Sequence, residues 1–558
     1  TPHLRLRNLV IDMQPPQFDS GEVPDGICMF APEAMDGNKY LAALKILRKQ
    51  QQGAMRCNDV TYIHGIAFYR GCLPFDLLRE YCDLNADQQA AVAKVLSAKD
   101  YVLLLGMPGT GKTSTIAFVV RMMMAKGARV LITSYTHSAV DNLLEKLVAR
   151  GTSPRILGRI GSKTSVRIPL HPYLLNEPSG MEHDQSKVLT STTKRISGLR
   201  VVGCTVLTAA RHALLQTMKF DWCVTDGSGQ ISQPASLGPL MLSSRFLLVG
   251  DDYQLPPIVQ SREAAAKGMD VSLFKRLGEA HPEAVTTLTS QYRMNDQVMA
   301  LCNTLIYEHR LSCGNDDVAR ARLCFLKSEA LGSFVNSELS HLHSWLNSAL
   351  DPSRCVVFLN TDSIDFQLSH VHLSSSDDMN DSSNLDSAPI GPPLQRSNSP
   401  RGRGQSTSDA EVVVVRALVK QLKACGVDLS GVGIISPYRA QVRVLQQALQ
   451  QTCNSIEEWN ATAEEGPVVS TVDKFQGRDM DMIVISMVRN MQDNSAGELL
   501  RDWRRVNVAI SRARYKLVFI GSLLLMRTVP ILSQLAHFCE ARDAVTDLPA
   551  SIKTCIDI

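Results

Sequence analysis

The chain has 558 residues, 44% of them hydrophobic, with 58 Lys and Arg against 55 Asp and Glu. At about 100 to 200 residues per domain this implies about three or four folded units, and the near-even charge excludes an overall basic field as the source of any nucleic-acid grip. The 14 cysteines include no C-x-x-C pair, so neither zinc nor an iron–sulfur cluster is assigned and reduced, buried thiols are expected. The longest apolar stretch, Leu517 to Leu532, is broken by Gly521 and Arg527 and falls short of a membrane span.

Residues 1–83 show no core of their own and read as the remnant of an upstream domain with connecting helices, including a helix at 42–52 with basic residues on one side. The opening Thr-Pro-His reads as a processed chain or, preferably, a fragment. Leu84-Asn85-Ala86-Asp87-Gln88 starts a helix with Asn85 as its N-cap, where the Gln88 amide is suited to reading an adenine edge through two hydrogen bonds.

Five short apolar runs follow, Tyr101 to Leu105, Ala128 to Thr133, Leu199 to Cys204, Trp222 to Thr225 and Phe246 to Val249, with helices such as Ser114 to Lys126 and Ser138 to Arg150 between them. This is the βαβ rhythm of a doubly wound parallel sheet. The rhythm recurs in the second half, with strands at Val356 to Asn360, Gly433 to Ser436, Val468 to Ser470, Met482 to Ser486 and Leu517 to Ile520, and helices at Ser408 to Cys425 and Arg439 to Leu449. The expected division is a first lobe at 84–282 and a second at 283–558, interrupted at about 369–408 by a Ser/Asp/Pro-rich insertion with little to bury, expected to be disordered.

Gly106-Met-Pro-Gly109-Thr110-Gly111-Lys112-Thr113 follows a strand and opens a helix, the setting of a P-loop. Its glycines let backbone N–H groups curl around a β-phosphate, Lys112 reaches the β- and γ-phosphates, and the Thr113 hydroxyl suits Mg²⁺. ATP and Mg²⁺ are therefore the expected cofactors. In Gly250-Asp251-Asp252-Tyr253-Gln254-Leu-Pro-Pro, Gln254 stands at a strand's carboxyl end, positioned to sense a γ-phosphate. Thr133, Thr136, His137, Thr205 and Thr471 stand at strand ends or loop starts, where hydroxyls and backbone N–H groups hold a single strand's phosphates without reading sequence. Taken singly, each is more commonly a capping or turn residue.

With the P-loop, GDDYQLPP, Gln291-Tyr292-Arg293-Met294, Thr471-Val-Asp-Lys-Phe-Gln-Gly477-Arg-Asp479 and Arg504-Arg-Val-Asn-Val-Ala-Ile-Ser-Arg512-Ala-Arg514 in this order, the chain resembles superfamily-one helicases of the Upf-one-like branch. The runs Thr133 to Asn142, Ile231-Ser-Gln-Pro with Leu237-Gly-Pro-Leu240, and Leu499 to Arg504 resemble the eukaryotic replication helicase/nuclease family called Dna-two. The likeness runs from about Leu84 to Gly521, and residues 10–18 resemble a segment just upstream of that family's motor.

The resemblance implies an α/β fold of two RecA-like P-loop lobes and ATP-dependent 5′-to-3′ movement on single-stranded DNA. It implies work on flaps, forks and resected ends, in the nucleus or the mitochondrion, with single-strand-binding protein and replication and repair factors as partners. It puts Tyr292 on the adenine face, Arg293 and Arg512 on the γ-phosphate from the second lobe, Gly477 close to the nucleotide and Asp479 on the ribose. Neither the family's nuclease carboxylate–lysine core nor its cluster cysteines are visible in the sequence.

Trp222-Cys-Val-Thr-Asp226-Gly227-Ser-Gly-Gln230 stands where that family has Asp-Glu-Ala-Ser-Gln. Asp226 keeps the Mg²⁺ role, but the carboxylate that orients and deprotonates the attacking water is replaced by Gly227, so ATP binding is expected to survive and hydrolysis to be weakened. Asp252 is a candidate substitute. An RNA-directed relative and an ATP-binding clamp without turnover are the alternative readings, since phosphate contacts do not distinguish the sugar.

Overall fold

The computed structural model describes residues 17, 61–63, 66–68, 75–175, 198–326, 340–364, 407–454, 466–475, 477–488 and 500–553. The helix expected at 42–52, the segment 10–18 apart from Gln17, and the insertion 369–408 apart from Thr407 and Ser408 lie outside them. The chain divides into two units, one comprising Thr1–Arg293 and Arg310–Gly314, the other Met294–His309 and Asn315–Ile558. Each is an α/β unit built on a parallel sheet of the RecA-like kind.

A short antiparallel hairpin, β1 (Thr61–Ile63) and β2 (Ile66–Phe68), comes first. The sheet of the first unit contains β3 (Tyr101–Gly106), β4 (Val130–Ser134), β5 (Leu157–Arg159), β6 (Val201–Thr205), β7 (Phe220–Asp226), β8 (Ser243–Gly250) and β9 (Val285–Leu288). Their order is β5-β6-β4-β7-β8-β3-β9, with every pairing parallel. Successive residues point to opposite faces, and here both faces are covered. Val102, Leu104, Ile132, Val224 and Leu247 pack with residues of α1 (Ala86–Ser97), α2 (Lys112–Ala125) and α3 (His137–Ala149) in one core. Tyr101, Leu103, Leu131, Cys223 and Leu248 pack with Leu273 and Leu277 of α4 (Leu273–Ala280) in another. Burial on both faces is why these strands read as continuous apolar runs rather than alternating ones.

Two sequence expectations change. The strands β5 and β9 went unrecognised, because LGR and VTTL are too short or too polar to stand out. The expected lobe boundary between 282 and 283 is also displaced. The strand β9 pairs with β3 through Leu103↔Val285 to Gly106↔Leu288 and carries the chain through Arg293 inside the first unit. Arg293 therefore does not come from the second lobe. Just beyond β9, β10 (Ser290–Gln291) pairs in parallel with β11 (Ser312–Cys313).

The second sheet contains β12 (Val356–Asn360), β13 (Val432–Ser436), β14 (Val468–Thr471), β15 (Met480–Ser486), β16 (Ala513–Gly521) and β17 (Val545–Asp547) in the order β14-β13-β15-β16-β12-β17, again all parallel. Its core joins Val357, Leu359, Ile434, Val484 and Val518 to α5 (Asp409–Ala424) and α6 (Arg439–Asn454). Ser408 caps α5 by accepting from Glu411 N. The capping Ser408, expected as the first helical residue, thus stands one place outside.

At the carboxyl end of β15 a buried polar knot fixes the chain. Glu411 accepts from Ser486 Oγ at 2.5 Å and from Val488 N at 2.8 Å, while the Gln441 amide donates to Ser486 Oγ and accepts from Ser408 N. Burial pushes the Glu411 carboxyl up to about 8 against the pull of these donors. A carboxyl raised above its unfolded value is protonated in the fold first, so the second unit loses stability as pH rises from about 4.5 to about 8 and is level beyond. Denaturant unfolding across that window is expected to show this slope, and Glu411→Gln, which cannot ionise, is expected to flatten it.

Candidate nucleotide and nucleic-acid sites

Parallel pairing sets the first site. The strands β7, β8 and β3 are neighbours, in register through Thr225↔Leu248 and Leu105↔Gly250, so Asp226, Asp251 and the P-loop leave the sheet side by side at its carboxyl edge. That edge is where open α/β sheets place ligands.

The P-loop depends on two left-handed glycines, Gly109 at φ 75° and Gly111 at φ 78°, the second being the N-cap of α2. Side chains other than glycine rarely hold that conformation. Gly106 is constrained differently: an ideal Cβ there would stand 2.1 Å from Lys112 Cγ, because the lysine stem folds across it. The Lys112 ammonium donates to the carbonyls of Gly106 and, at 3.1 Å, Met107. Thr113 is the second residue of α2 and half-buried. Thr110, by contrast, is buried with its hydroxyl donating to Met107 O at 2.8 Å, so its side chain braces the loop rather than facing a ligand.

The helix α1 is wired to this loop. Asn85 and Gln88 form a reciprocal capping box, and Gln88 Nε2 donates to Thr110 O at 3.3 Å. Asn85 Nδ2 also donates to Tyr292 Oη at 2.9 Å. A residue that sequence reasoning missed does the rest. Asp87 Oδ2 accepts from Thr289 N (3.0 Å), Thr289 Oγ1 (2.7 Å), Ser290 N (3.1 Å) and Ser290 Oγ (3.2 Å). Partial burial opposes ionisation, but these four donors outweigh it and hold the carboxyl below its ordinary value. The tie delivers the next three residues to the P-loop. Buried Gln291 accepts from Arg293 N at 2.8 Å, and Tyr292 N donates to Gly109 O at 2.9 Å. Tyr292 is 43% exposed, and its ring rests on Gly314, where an ideal Cβ would collide with Tyr292 Cε1. An exposed ring with a fixed back and a tethered hydroxyl is a platform for a flat heteroaromatic group.

At the end of β7, Asp226 accepts from Gly227 N at 2.8 Å. Burial pushes its carboxyl up, and Lys112 and the Gly227 N–H pull it back. The turn after it folds onto β8: Ser228 Oγ donates to Val249 O at 2.7 Å, and an ideal Cβ on Gly229 would stand 3.0 Å from Asp251 O. Gly227 has φ 69°, yet an ideal Cβ there meets only Ser134 Oγ at 3.7 Å. Space exists at this position, so the constraint is conformational. Asp251 accepts from Tyr253 N at 3.1 Å and from Gln254 Nε2 at 2.8 Å, fixing the Gln254 amide at the same edge. Asp252 is held up by burial and by Asp251, with Lys275 and Arg310 opposing, whereas Lys112 acts on Asp226. Its electrostatic neighbours are thus α4 and Arg310, which does not support a substitute base at the phosphate.

In the second unit, Asp479 and Arg512 face each other at 3.8 Å, and Arg512 Nε donates to Val508 O at 3.2 Å. Gly477 is left-handed at φ 82°. Arg505 pairs with Asp473 and Asp502, and Arg514 with Asp481, as half-exposed ion pairs.

The five candidate strand-binding residues separate on inspection. Thr133 is fully buried, its hydroxyl 2.9 Å from Thr225 Oγ1 inside the sheet, which removes it from the set. Thr205 is 6% exposed and caps the following turn by accepting from Thr208 N, a structural role. Thr136 is exposed and caps α3, His137 is half-buried at its first turn, and Thr471 is half-buried at the end of β14. Tyr135 (48% exposed) and Leu207 (51%) follow the paired strand ends Ser134↔Thr205 and offer apolar surface beside them. Sequence reasoning passed over both; their signal is a large apolar residue one or two places beyond a buried strand.

Two family profiles, each described as an AAA domain, match residues 269–523 and residues 83–181 with 175–262. On these matches and those below, the chain is similar to the superfamily-one helicases of the Upf-one-like branch. Within that branch it is similar to the helicase part of the DNA replication ATP-dependent helicase/nuclease: DNA2 of Homo sapiens is 38% identical over 471 residues, covering 84% of this chain and 40% of that protein. JHS1 of Arabidopsis thaliana is 38% identical over 474 residues (84% and 31%), and DNA2 of Saccharomyces cerevisiae 37% over 476 (85% and 28%). The chain therefore spans less than half of each of these relatives. The arterivirus nonstructural protein 10 helicase solved with DNA aligns with TM-score 0.35 at 12% identity, covering 81% of this chain and 65% of that one, too slight a likeness to carry an argument.

Two outcomes follow. Asp87→Asn is expected to destabilise the first unit by about 1–2 kcal/mol, since the bonds are charge-assisted but partly in water. Because the folded carboxyl is depressed, that stability is present above its ordinary range and lost as pH falls through the folded value, so the gap between wild type and variant in urea unfolding is expected to close in acid. Gly314→Ala is expected to displace the Tyr292 ring and weaken adenine-nucleotide binding about 10-fold, measured with a fluorescent analogue, with global stability little changed.

Proposed function

We propose that the chain is the motor of an ATP-driven, 5′-to-3′ single-stranded DNA translocase that works on flaps, forks and resected ends in the nucleus. The observation that carries the reading is the direct wiring of the P-loop to Gln88 and Tyr292, with Arg293 held next in line by Gln291 and with Asp226 and Gln254 at the same sheet edge, which also presents Tyr135, Thr136 and His137.

Bound ATP with Mg²⁺ supplies the phosphoryl group whose cleavage drives the cycle. The residues fit it: Lys112 exchanges two neutral carbonyl acceptors for phosphate oxygens, a stronger charge-assisted contact. Asp226, whose carboxyl burial disfavours as an anion, gains from a nearby cation, and Thr113 adds a hydroxyl. Tyr292 takes the adenine face and Gln88 its edge, while Arg293 and Gln254 meet the γ-phosphate. Thr136, His137 and Thr471 hold strand phosphates, and Tyr135 offers a ring on which a base stacks.

Turnover is slow in this reading. No carboxylate stands at 227, and a missing positioned base costs about 10²- to 10⁴-fold. A glutamate placed there has room for its Cβ but must hold a left-handed backbone, at about 1–2 kcal/mol. The same glycine favours a second reading, a clamp that binds ATP and DNA without useful turnover.

Steady-state ATPase with and without oligo-dT separates them. Lys112→Ala is expected to abolish the signal. Gly227→Glu is expected to raise it by at least about 10-fold, and Gly227→Ala, which carries the backbone penalty without the carboxylate, not to raise it. A brisk wild-type rate equal to that of Gly227→Glu would remove the impairment, and no gain with nucleotide-dependent DNA binding intact would favour the clamp. Unwinding of duplexes with a 5′ or a 3′ tail reads the polarity.

A further inference from the structure

The first turn of α3 sits against a buried charge that the motor reading does not use. Arg159, at the end of β5, is 0% exposed. Its Nε donates to Asp141 Oδ1 at 2.8 Å, its Nη1 to Ile160 O at 2.7 Å, and its Nη2 to His137 Nδ1 at 3.1 Å. Asp141, 1% exposed on the next turn of α3, gives its second oxygen to Arg167 N at 3.1 Å. An arginine that served only to neutralise a buried carboxylate would meet it with two parallel N–H groups, the strongest arrangement for the pair. Here a single N–H goes to the carboxylate. The fork is divided, and one arm is aimed at a ring that reaches the surface.

A guanidinium donates and never accepts, so the Nδ1 it faces must carry a lone pair. The hydrogen of the neutral ring is then on Nε2. Protonating Nδ1 breaks this bond and sets two cations 3.1 Å apart. We propose that the buried Asp141–Arg159 pair is a positioning device that locks His137 as an uncharged Nε2–H donor for a phosphodiester oxygen of the bound strand. The proposal rests on the reading of this loop as a strand contact and adds to it the two residues that set the donor's form. The charged groups on the ring are Arg159, from β5, and Asp141, from α3; burial and then Arg159 lower its basicity, with Asp141 opposing. An ordinary histidine gains a charge as pH falls through about 6.5 and would grip DNA more tightly in mild acid. This one is held out of that response, so its contact keeps the same strength across the physiological range.

The test uses the whole chain labelled with ¹⁵N-histidine, the His137 signals being identified by their loss in His137→Gln. The expected wild-type spectrum has an unprotonated Nδ1 and a protonated Nε2, unchanged from about pH 8 to about pH 6. Arg159→Met combined with Asp141→Asn removes both buried charges together and so leaves neither unpaired. In that variant His137 is expected to mix tautomers and to ionise in the ordinary histidine range. Its affinity for oligo-dT is then expected to rise about five-fold from pH 8 to pH 6 beyond any change in wild type, and His137→Gln added to it is expected to cancel the rise.

A wild-type His137 with its proton on Nδ1 overturns the proposal, and that spectrum needs no variant to fold. A His137→Gln chain that binds oligo-dT as wild type does, or a double variant whose His137 titrates no differently, also overturns it. Absence of oligo-dT binding by wild type defeats the strand-contact reading itself, and with it the donor role, while the spectrum still shows whether Arg159 sets the tautomer.

Discussion

One carboxylate oxygen organises the nucleotide edge of the first unit. Asp87 Oδ2 gathers four donors from Thr289 and Ser290, and through them the start of α1 is tied to the run that carries Gln291, Tyr292 and Arg293. With Asn85 bonded to Tyr292, Gln88 to Thr110 and Tyr292 to Gly109, three stretches far apart in sequence form a closed ring of hydrogen bonds around the P-loop. Each link is modest, since an intramolecular hydrogen bond contributes about 0.5–1.5 kcal/mol net. Their effect is geometric: they leave the Tyr292 ring exposed but tethered, and keep the loop glycines in the left-handed conformations that turn N–H groups inward.

The same edge is where the proposed reading separates nucleotide binding from cleavage. Asp226 is retained, buried and next to Lys112 in charge if not in sequence. The turn behind it is braced on β8 by Ser228 and Gly229. Binding of a nucleotide and cleavage of its terminal phosphate draw on different parts of this arrangement. In the proposed reading the parts for binding are retained, and the acceptor for the attacking water's proton, which a carboxylate at 227 would supply, is missing. Nearby Asp252 lies in the field of Lys275 and Arg310 and offers no evident replacement.

Much of this was legible in the sequence, for physical reasons. Strands buried on both faces leave unbroken apolar runs, so β3, β4, β7, β8 and most of the second sheet could be placed, and the P-loop followed from its glycine spacing. What was illegible depended on tertiary context. VTTL reads as a loop until β3 lends it a partner, which moved the boundary past Arg293 and into the first unit. Thr133 sits at a strand end in the sequence, but the register of β4 on β7 turns its hydroxyl onto Thr225. Asp87 and Arg159 were invisible as functional residues because a lone Asp in a first helical turn and a lone Arg in a short strand are ordinary, and only the fold shows what each one gathers.

The account's central claim is that binding and cleavage of ATP are separated in this chain, and single-turnover chemistry tests it most directly. Labelled ATP is mixed with excess chain and oligo-dT, and samples are trapped for bound nucleotide or quenched for product. The account predicts rapid formation of a bound ATP complex followed by slow cleavage. Cleavage as fast as binding, at a rate that Gly227→Glu leaves unchanged, would contradict it.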